Sequence, residues 1–262
     1  MDLFASDLDN TLIFSHRHRE EGDVCVERLE GREQSFCTSR EPALLARVRE
    51  RAEFIPVTTR SVEQYRRIQW PPDCAPRYAV TDNGGILLRD GVEDPRWREE
   101  TRTAAEPWEG ALRQAQELLS HTPMLRRWGL VDGLFLFAAC DAPERAQTAA
   151  ELLRGRTGLE LAVSGRKLYL LPPPVNKGEA LRRLRARFHP RSVLCAGDSE
   201  MDLPMLRQAD MAILPQALAQ REEIPGARVH RGQKGFCEFV LQAALEGLIS
   251  EKEFSCHERN RL

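Results

Sequence analysis

Five residues near the amino end, Asp7-Leu8-Asp9-Asn10-Thr11, set two carboxylates two positions apart where a short apolar run, Leu3-Phe4-Ala5-Ser6, gives way to polar residues. Two more acids stand far along the chain, Asp198 and Asp202, four apart across the start of a helical pattern, a spacing that lets both face one point. A crevice that gathers Asp7, Asp9 and Asp198 cannot hold three ionised carboxylates close together without a cation, and hard oxygen ligands of this kind suit Mg²⁺. The chemistry such a site could perform is phosphoryl transfer, which asks for an in-line nucleophile, neutralisation of the equatorial oxygens and a proton for the leaving alkoxide. Asp7 can attack, as carboxylates do when they form aspartyl phosphates. Asp9 can reach the leaving group and later activate water. Thr58 and Lys177 can hold the phosphate, the lysine as a point charge near the start of a helix whose amino end already favours anions. Arg60, just beyond Thr58, is a candidate substrate contact.

These side chains have to be carried to one place. Leu3-Phe4-Ala5-Ser6 reads as a buried parallel strand ending in the acid loop. Residues 54–59, 78–82, 192–198 and 210–215 read the same way, apolar first and polar last. Helical patterns separate them at 41–52, 61–69, 177–188 and 202–208, the third with Leu181, Leu184 and Phe188 on one stripe. Strands alternating with helices predict an α/β fold, a doubly wound, Rossmann-like parallel sheet. Ligands of such sheets sit outside the carboxyl ends of the strands, which is where the motif residues fall.

Two segments break the alternation. Residues 15–40 hold the runs Val24–Leu29 and Gln34–Thr38 around Glu30-Gly31, which predicts a β-hairpin projecting beside the acid loop. Residues 87–171 predict a helix at 106–120, strands at 124–130 and 133–139, a helix at 142–155 and a hairpin at 159–171, together a small α+β cap domain inserted into the sheet domain. Gly84-Gly85 and Pro172-Pro173-Pro174 mark its hinges. The catalytic core is then 1–86 with 172–262, and its highly charged end, 251–262, is expected to fray.

Lys and Arg (38) nearly balance Asp and Glu (40), so no overall field draws the chain toward nucleic acid or an anionic membrane. Phosphate recognition must therefore be local. Seven cysteines, an odd number without CxxC pairing, suit a reducing cytoplasm, and they read as core or surface thiols. Every apolar stretch is interrupted by charge well short of the roughly 18 residues of a membrane span. An EF-hand reading of Asp7, Asp9 and Thr11 fails because Leu12 occupies the glycine position and His18 the bidentate glutamate position. His16 and His18 read as solvated loop residues.

In chain order, Asp7-Leu8-Asp9-Asn10-Thr11 after an apolar strand, Thr58 in Pro-Val-Thr-Thr-Arg, Lys177 in Asn-Lys-Gly-Glu-Ala-Leu, and Gly197-Asp198-Ser199-Glu200-Met201-Asp202 resemble the four motifs of the haloacid dehalogenase superfamily of phosphohydrolases. The long insertion between the second and third is similar to that of subclass IIB, which includes Cof-type sugar phosphatases and sucrose-phosphate phosphatases. Asp82-Asn83-Gly84-Gly85 resembles the Asn-Gly turn after the third strand of that subclass, which makes Asn83 a second candidate substrate contact. The resemblance implies Asp7 as nucleophile, Asp9 as general acid and base, phosphate contacts from Thr58 and Lys177, and Mg²⁺ held by Asp7, the Asp9 backbone carbonyl and Asp198, with Asp202 as a further ligand or support. It implies a phosphoric monoester hydrolase acting on a small phosphorylated metabolite such as a sugar phosphate, through an aspartyl phosphate. The alternatives are a phosphomutase or phosphotransferase of the same superfamily and a catalytically silent phosphate-binding protein. Three departures stand out: Met201 where the subclass commonly has Asn, Thr59 where many relatives have Gly, and the length of the 15–40 hairpin.

Overall fold

The computed structural model describes residues 1–259, with side chains through residue 248. Five parallel strands form the central sheet, in the order Arg228–His230, Met211–Pro215, Val193–Ala196, Asp2–Ser6, Ala52–Pro56. The first strand lies inside the sheet, between Val193–Ala196 and Ala52–Pro56, and is fully buried, so its side chains feed both faces. Leu3 and Ala5 join Leu181 and Leu184 of the helix Lys177–Phe188 on one face, while Phe4 joins Leu45 and Val48 of the helix Glu41–Arg49 on the other. Period-two alternation thus builds two cores from one strand, which is the physical basis of a doubly wound sheet. Each large apolar side chain buried this way contributes about 1.5–3 kcal/mol.

The strand Tyr78–Thr81, expected as a parallel member of this sheet, joins it only through a bridge between Val80 and Val57. Its main pairing is antiparallel, with Ile86–Arg89. The cause is the turn at Asp82 and Asn83, whose φ angles of 54° and 55° reverse the chain at once. Gly84 completes the turn at φ 107°, where a Cβ would meet the Asn176 carbonyl at 2.6 Å.

A separate four-stranded antiparallel sheet runs Glu160–Ser164, Lys167–Leu171, Phe135–Cys140, Leu125–Val131. Leu136, Ala138, Leu168 and Leu170 pack from one face against the helices Glu109–Ser120 and Pro143–Leu153, forming a third core. The other face carries Phe135, Phe137 and Tyr169 toward the central domain. The segment 87–105, assigned by pattern to the cap, packs elsewhere. Leu87, and Trp97 of the helix Pro95–Ala105, lie in the core with Leu181 and Leu184. Arg183 stacks on Trp97 at 3.6 Å and donates to the Trp97 carbonyl and the Thr101 hydroxyl, tying the helix before the cap to the helix after it.

The expected hairpin forms from Val24–Leu29 and Arg32–Cys37, turning at Glu30 and Gly31, both with positive φ as a two-residue primed turn requires. It is stitched in rather than projecting freely: Val26 and Phe36 are buried, and the Gln69 N–H donates to the Val26 carbonyl at 2.7 Å. The helix Phe236–Arg259 closes the chain. Of the charged end from Glu251, the side chains and the last three residues lie outside what the structure describes. Among the described residues no helix is long and apolar enough to cross a membrane.

Candidate active site

The first strand delivers Asp7 with its backbone still tied to the sheet, its N–H donating to the Ala196 carbonyl at 2.9 Å. The chain then curls on itself, with the Leu12 and Ile13 N–H groups both on the Leu8 carbonyl at 2.9 Å and Asn10 at φ 64°. Leu8 and Leu12 go into the core, and the acids stay at the carboxyl edge. Thr58, fully buried just beyond the neighbouring strand, donates its N–H to the Val80 carbonyl and accepts the Arg60 N–H on its hydroxyl at 3.2 Å. Lys177 opens its helix, which Asn176 caps by accepting the Glu179 N–H. Its ammonium, 1% exposed, donates to Oδ1 of Asp7 at 2.6 Å and Oδ1 of Asp202 at 2.5 Å.

Asp202 is spoken for on both oxygens. Its Oδ2 accepts the N–H groups of Asp198 and Ser199 and the Ser199 hydroxyl, at 3.1, 2.9 and 2.8 Å. It therefore holds the Asp198 loop and Lys177 in place, and leaves Asp7 and Asp198 to face whatever binds. Gly197 permits this approach, since a Cβ there would come within 2.3 Å of the Asp202 Cβ. Met201, the departure in the fourth motif, points into the apolar core, while Ser199 braces Asp202.

Asp7, Asp198 and Asp202 each offer an oxygen within 4.8 Å of the others. The Lys177 ammonium bonds two of them, Asp7 and Asp202. Burial raises the Asp7 carboxyl; Lys177 pulls it back, Asp202 and Asp9 push further, and the result is about 7. Asp198 is likewise raised, first by burial and then by Asp7 and Asp202. Thr11 supplies only long contacts, 3.4 Å to each of Asp7 and Asp198. A hard divalent cation fits this donor set, because it would supply the positive charge that the surrounding side chains do not.

Asp9 belongs to a different network. Arg60 grips it with two bonds, Nε to Oδ2 at 2.8 Å and Nη2 to Oδ1 at 2.7 Å. Burial would raise the Asp9 carboxyl, but the bonds and charge of Arg60 hold it below its ordinary value. Arg60 is held in turn by the hairpin: Nη1 lies 3.0 Å from the buried Glu27, and Nη2 donates to the Ser35 hydroxyl at 3.2 Å. Arg60 thus lines the cleft, as expected of a substrate contact, yet its charge is already committed. Asn83, the second expected substrate contact, is engaged within the fold. It is buried, and its Nδ2 donates to the Val175 carbonyl at 2.9 Å, so it joins the two hinge segments.

Glu27, Ser35 and Ser199 escaped sequence reasoning. Ser199 had a usable signal, since a serine three residues before an acid at a helix start is a reciprocal cap, and that cap forms. Glu27 had none. Strict alternation forbids burying both Val26 and Glu27, and the ladder shifts register on either side of Glu27 to allow it.

The sequence profile of sucrose-6F-phosphate phosphohydrolases matches residues 1–224. Among solved structures, the sucrose-phosphatase of Synechocystis, in complex with sucrose and phosphate, is similar at a TM-score of 0.63 and 14% identity, over 94% of this chain and 98% of that one. A sugar phosphatase of haloacid dehalogenase subclass IIB is similar at 0.64 and 10% identity, over 95% and 100%. The trehalose-6-phosphate phosphatase of Aspergillus fumigatus follows at 0.53 and 15% identity, over 94% and 92%. Identities this low speak for the fold. No curated protein matches the chain in sequence.

Proposed function

Because this chain belongs to the sucrose-6F-phosphate phosphohydrolase family, within subclass IIB of the haloacid dehalogenase superfamily, it is a phosphoric monoester hydrolase, and we propose that it is a Mg²⁺-dependent one acting on a small phosphorylated metabolite through an aspartyl phosphate on Asp7. The observation that carries this reading is the shared ammonium of Lys177 between Asp7 and Asp202, which orients Asp7 and leaves its second oxygen free of any strong bond.

In this reading Asp7 Oδ2 attacks phosphorus, the ester P–O bond breaks, and the departing alkoxide takes a proton from Asp9. Water then attacks the acyl phosphate, gives a proton to Asp9, and the P–O bond to Asp7 breaks, releasing phosphate. Lys177 and Thr58 steady the phosphoryl oxygens as charge shifts among them. Asp7 and Asp198 would hold Mg²⁺, which when bound supplies charge neutralisation at the transferring phosphoryl group. For the first step Asp9 must carry a proton, which its grip by Arg60 opposes; an anionic substrate that draws Arg60 toward itself removes the opposition. Phe137 and Tyr169 of the cap, ring centres 5.7 Å apart, would cover the leaving group and exclude water.

The test is release of inorganic phosphate from an aryl phosphate and a set of sugar phosphates, with Mg²⁺ or a chelator, by wild type and Asp7→Asn. Turnover should vanish with the chelator and fall on the order of a thousandfold or more in Asp7→Asn. Full activity in either condition would overturn the mechanism, and no turnover by folded, Mg²⁺-loaded protein would overturn the assignment of substrate class.

A further inference from the structure

We infer, building on the phosphatase reading above, that the cleft between cap and core contains a second anion-binding subsite, and that the natural substrate carries a carboxylate or a second phosphate on its leaving group. The cleft has a volume of about 690 Å³, with Asp9 and Arg60 on its core side. Its walls bring in Arg17 from the segment before the hairpin and Arg127, Arg166 and Lys167 from the cap sheet. None of these four has a carboxylate within ion-pair distance among the described residues, unlike many arginines of the outer surface: Arg19 pairs with Glu33 at 2.8 Å, Arg102 with Glu99 at 2.7 Å, and Arg182 with Glu179 at 2.6 Å. Arg60 and Arg67, which also line the cleft, are neutralised by Asp9 and Glu27. Asp132 is the one further carboxylate in the lining, so in a chain of nearly balanced charge this cleft holds a local surplus of cations.

Their placement is set by the sheet. Ala139 stands opposite Arg127 on one neighbouring strand and Lys167 on the other, so the two cations flank it on the cleft face. Two interstrand spacings put their backbones about 10 Å apart. The Arg127 guanidinium lies 5.5 Å from the centre of the Phe137 ring. The scissile phosphate is already served by Lys177 and Thr58 at the sheet edge, so these outer cations are not needed for it. A neutral sugar would leave Arg127, Arg166 and Lys167 crowded on one wall with no counter-charge. A second anion turns that repulsion into attraction, and the planar forks of arginine suit a carboxylate or phosphate group.

The test compares binding to Mg²⁺-loaded Asp7→Asn protein by calorimetry, using glucose 6-phosphate, 6-phosphogluconate and glucose 1,6-bisphosphate. The first has a neutral far end, the second a carboxylate and the third a phosphate. At low salt the proposal expects at least one of the doubly anionic compounds to bind about tenfold or more tighter than glucose 6-phosphate, with the gap narrowing at high salt. The stronger of the two names the second group. Arg127→Gln combined with Arg166→Gln should shrink that gap several-fold. Equal or better binding of glucose 6-phosphate, or a gap that the double variant leaves intact, would overturn the subsite. Phosphate release from an aryl phosphate by wild-type protein is measured alongside; its absence would count against the phosphatase reading, while the binding comparison still decides the subsite.

Discussion

Lys177 is the residue on which the site turns, because its buried ammonium is shared by two carboxylates that would otherwise repel across the same few ångströms. Removing one partner of a buried ion pair typically costs about 3–5 kcal/mol, since the charges left behind remain buried. Lys177→Met should lower the stability of metal-free protein by that order in urea unfolding, and Mg²⁺ should return part of the loss by neutralising Asp7 and Asp198. If metal-free stability were unchanged, the two bonds would not be holding Asp7 as described. Asp7, Asp9, Thr58, Lys177, Asp198 and Asp202 were all legible as candidates in the sequence, because an acid or a lysine at the end of an apolar strand or the start of a helix has few other reasons to be there. What was not legible is how they are shared out. That Asp202 spends both oxygens on Lys177, Ser199 and the Asp198 N–H depends on a close approach to Gly197 that no spacing encodes.

Among the elements, the turn at 82–85 has a titration of its own. Burial above all, with neighbouring Asp132 adding to it, pushes the Asp82 carboxyl from 3.8 up to about 8. The folded protein thus keeps a proton that the unfolded chain releases near pH 4. The stabilising contribution is fully present below the unfolded value and is lost as pH rises through the folded one. Metal-free protein should therefore lose stability between about pH 4 and pH 8, by an amount on the order of a few kcal/mol. Asp82→Asn should flatten that slope when urea midpoints are compared at pH 5 and pH 8. The flattening should be partial, because burial also raises Glu41 to about 8 and, in metal-free protein, Asp7 to about 7 and Asp198 above its ordinary value, each adding a slope of the same sign. A slope as steep in the variant as in the wild type would remove Asp82 from this role. Most strands and helices were readable from their apolar periods, including the hairpin turn at Glu30-Gly31. The 87–105 segment was not, because the helix Pro95–Ala105 has a strongly polar sequence in which Trp97 supplies most of the large buried surface, too narrow an apolar stripe to announce a helix.

At the scale of the whole molecule, two apolar cores on the sheet and a third within the cap make a body whose parts meet at the cleft. The helix Pro95–Ala105 stays with the core, so the chain departs for the cap only after Ala105. Arg183 keeps that departure point fixed, with its guanidinium stacked on Trp97 and bonded to the Trp97 carbonyl, Thr101 and Glu100. Arg183→Met keeps the aliphatic bulk but loses the stacking charge and the charge-assisted bonds, and should cost about 1–3 kcal/mol of stability in urea unfolding. A loss well under 1 kcal/mol would show that the clasp is incidental. Its wider meaning concerns what can be exchanged. A chain that leaves its core and comes back between two helices already clasped together presents a socket of constant width. A different lid of matching span could be spliced into that socket with the catalytic sheet left intact, so the catalyst and its choice of substrate can be altered independently.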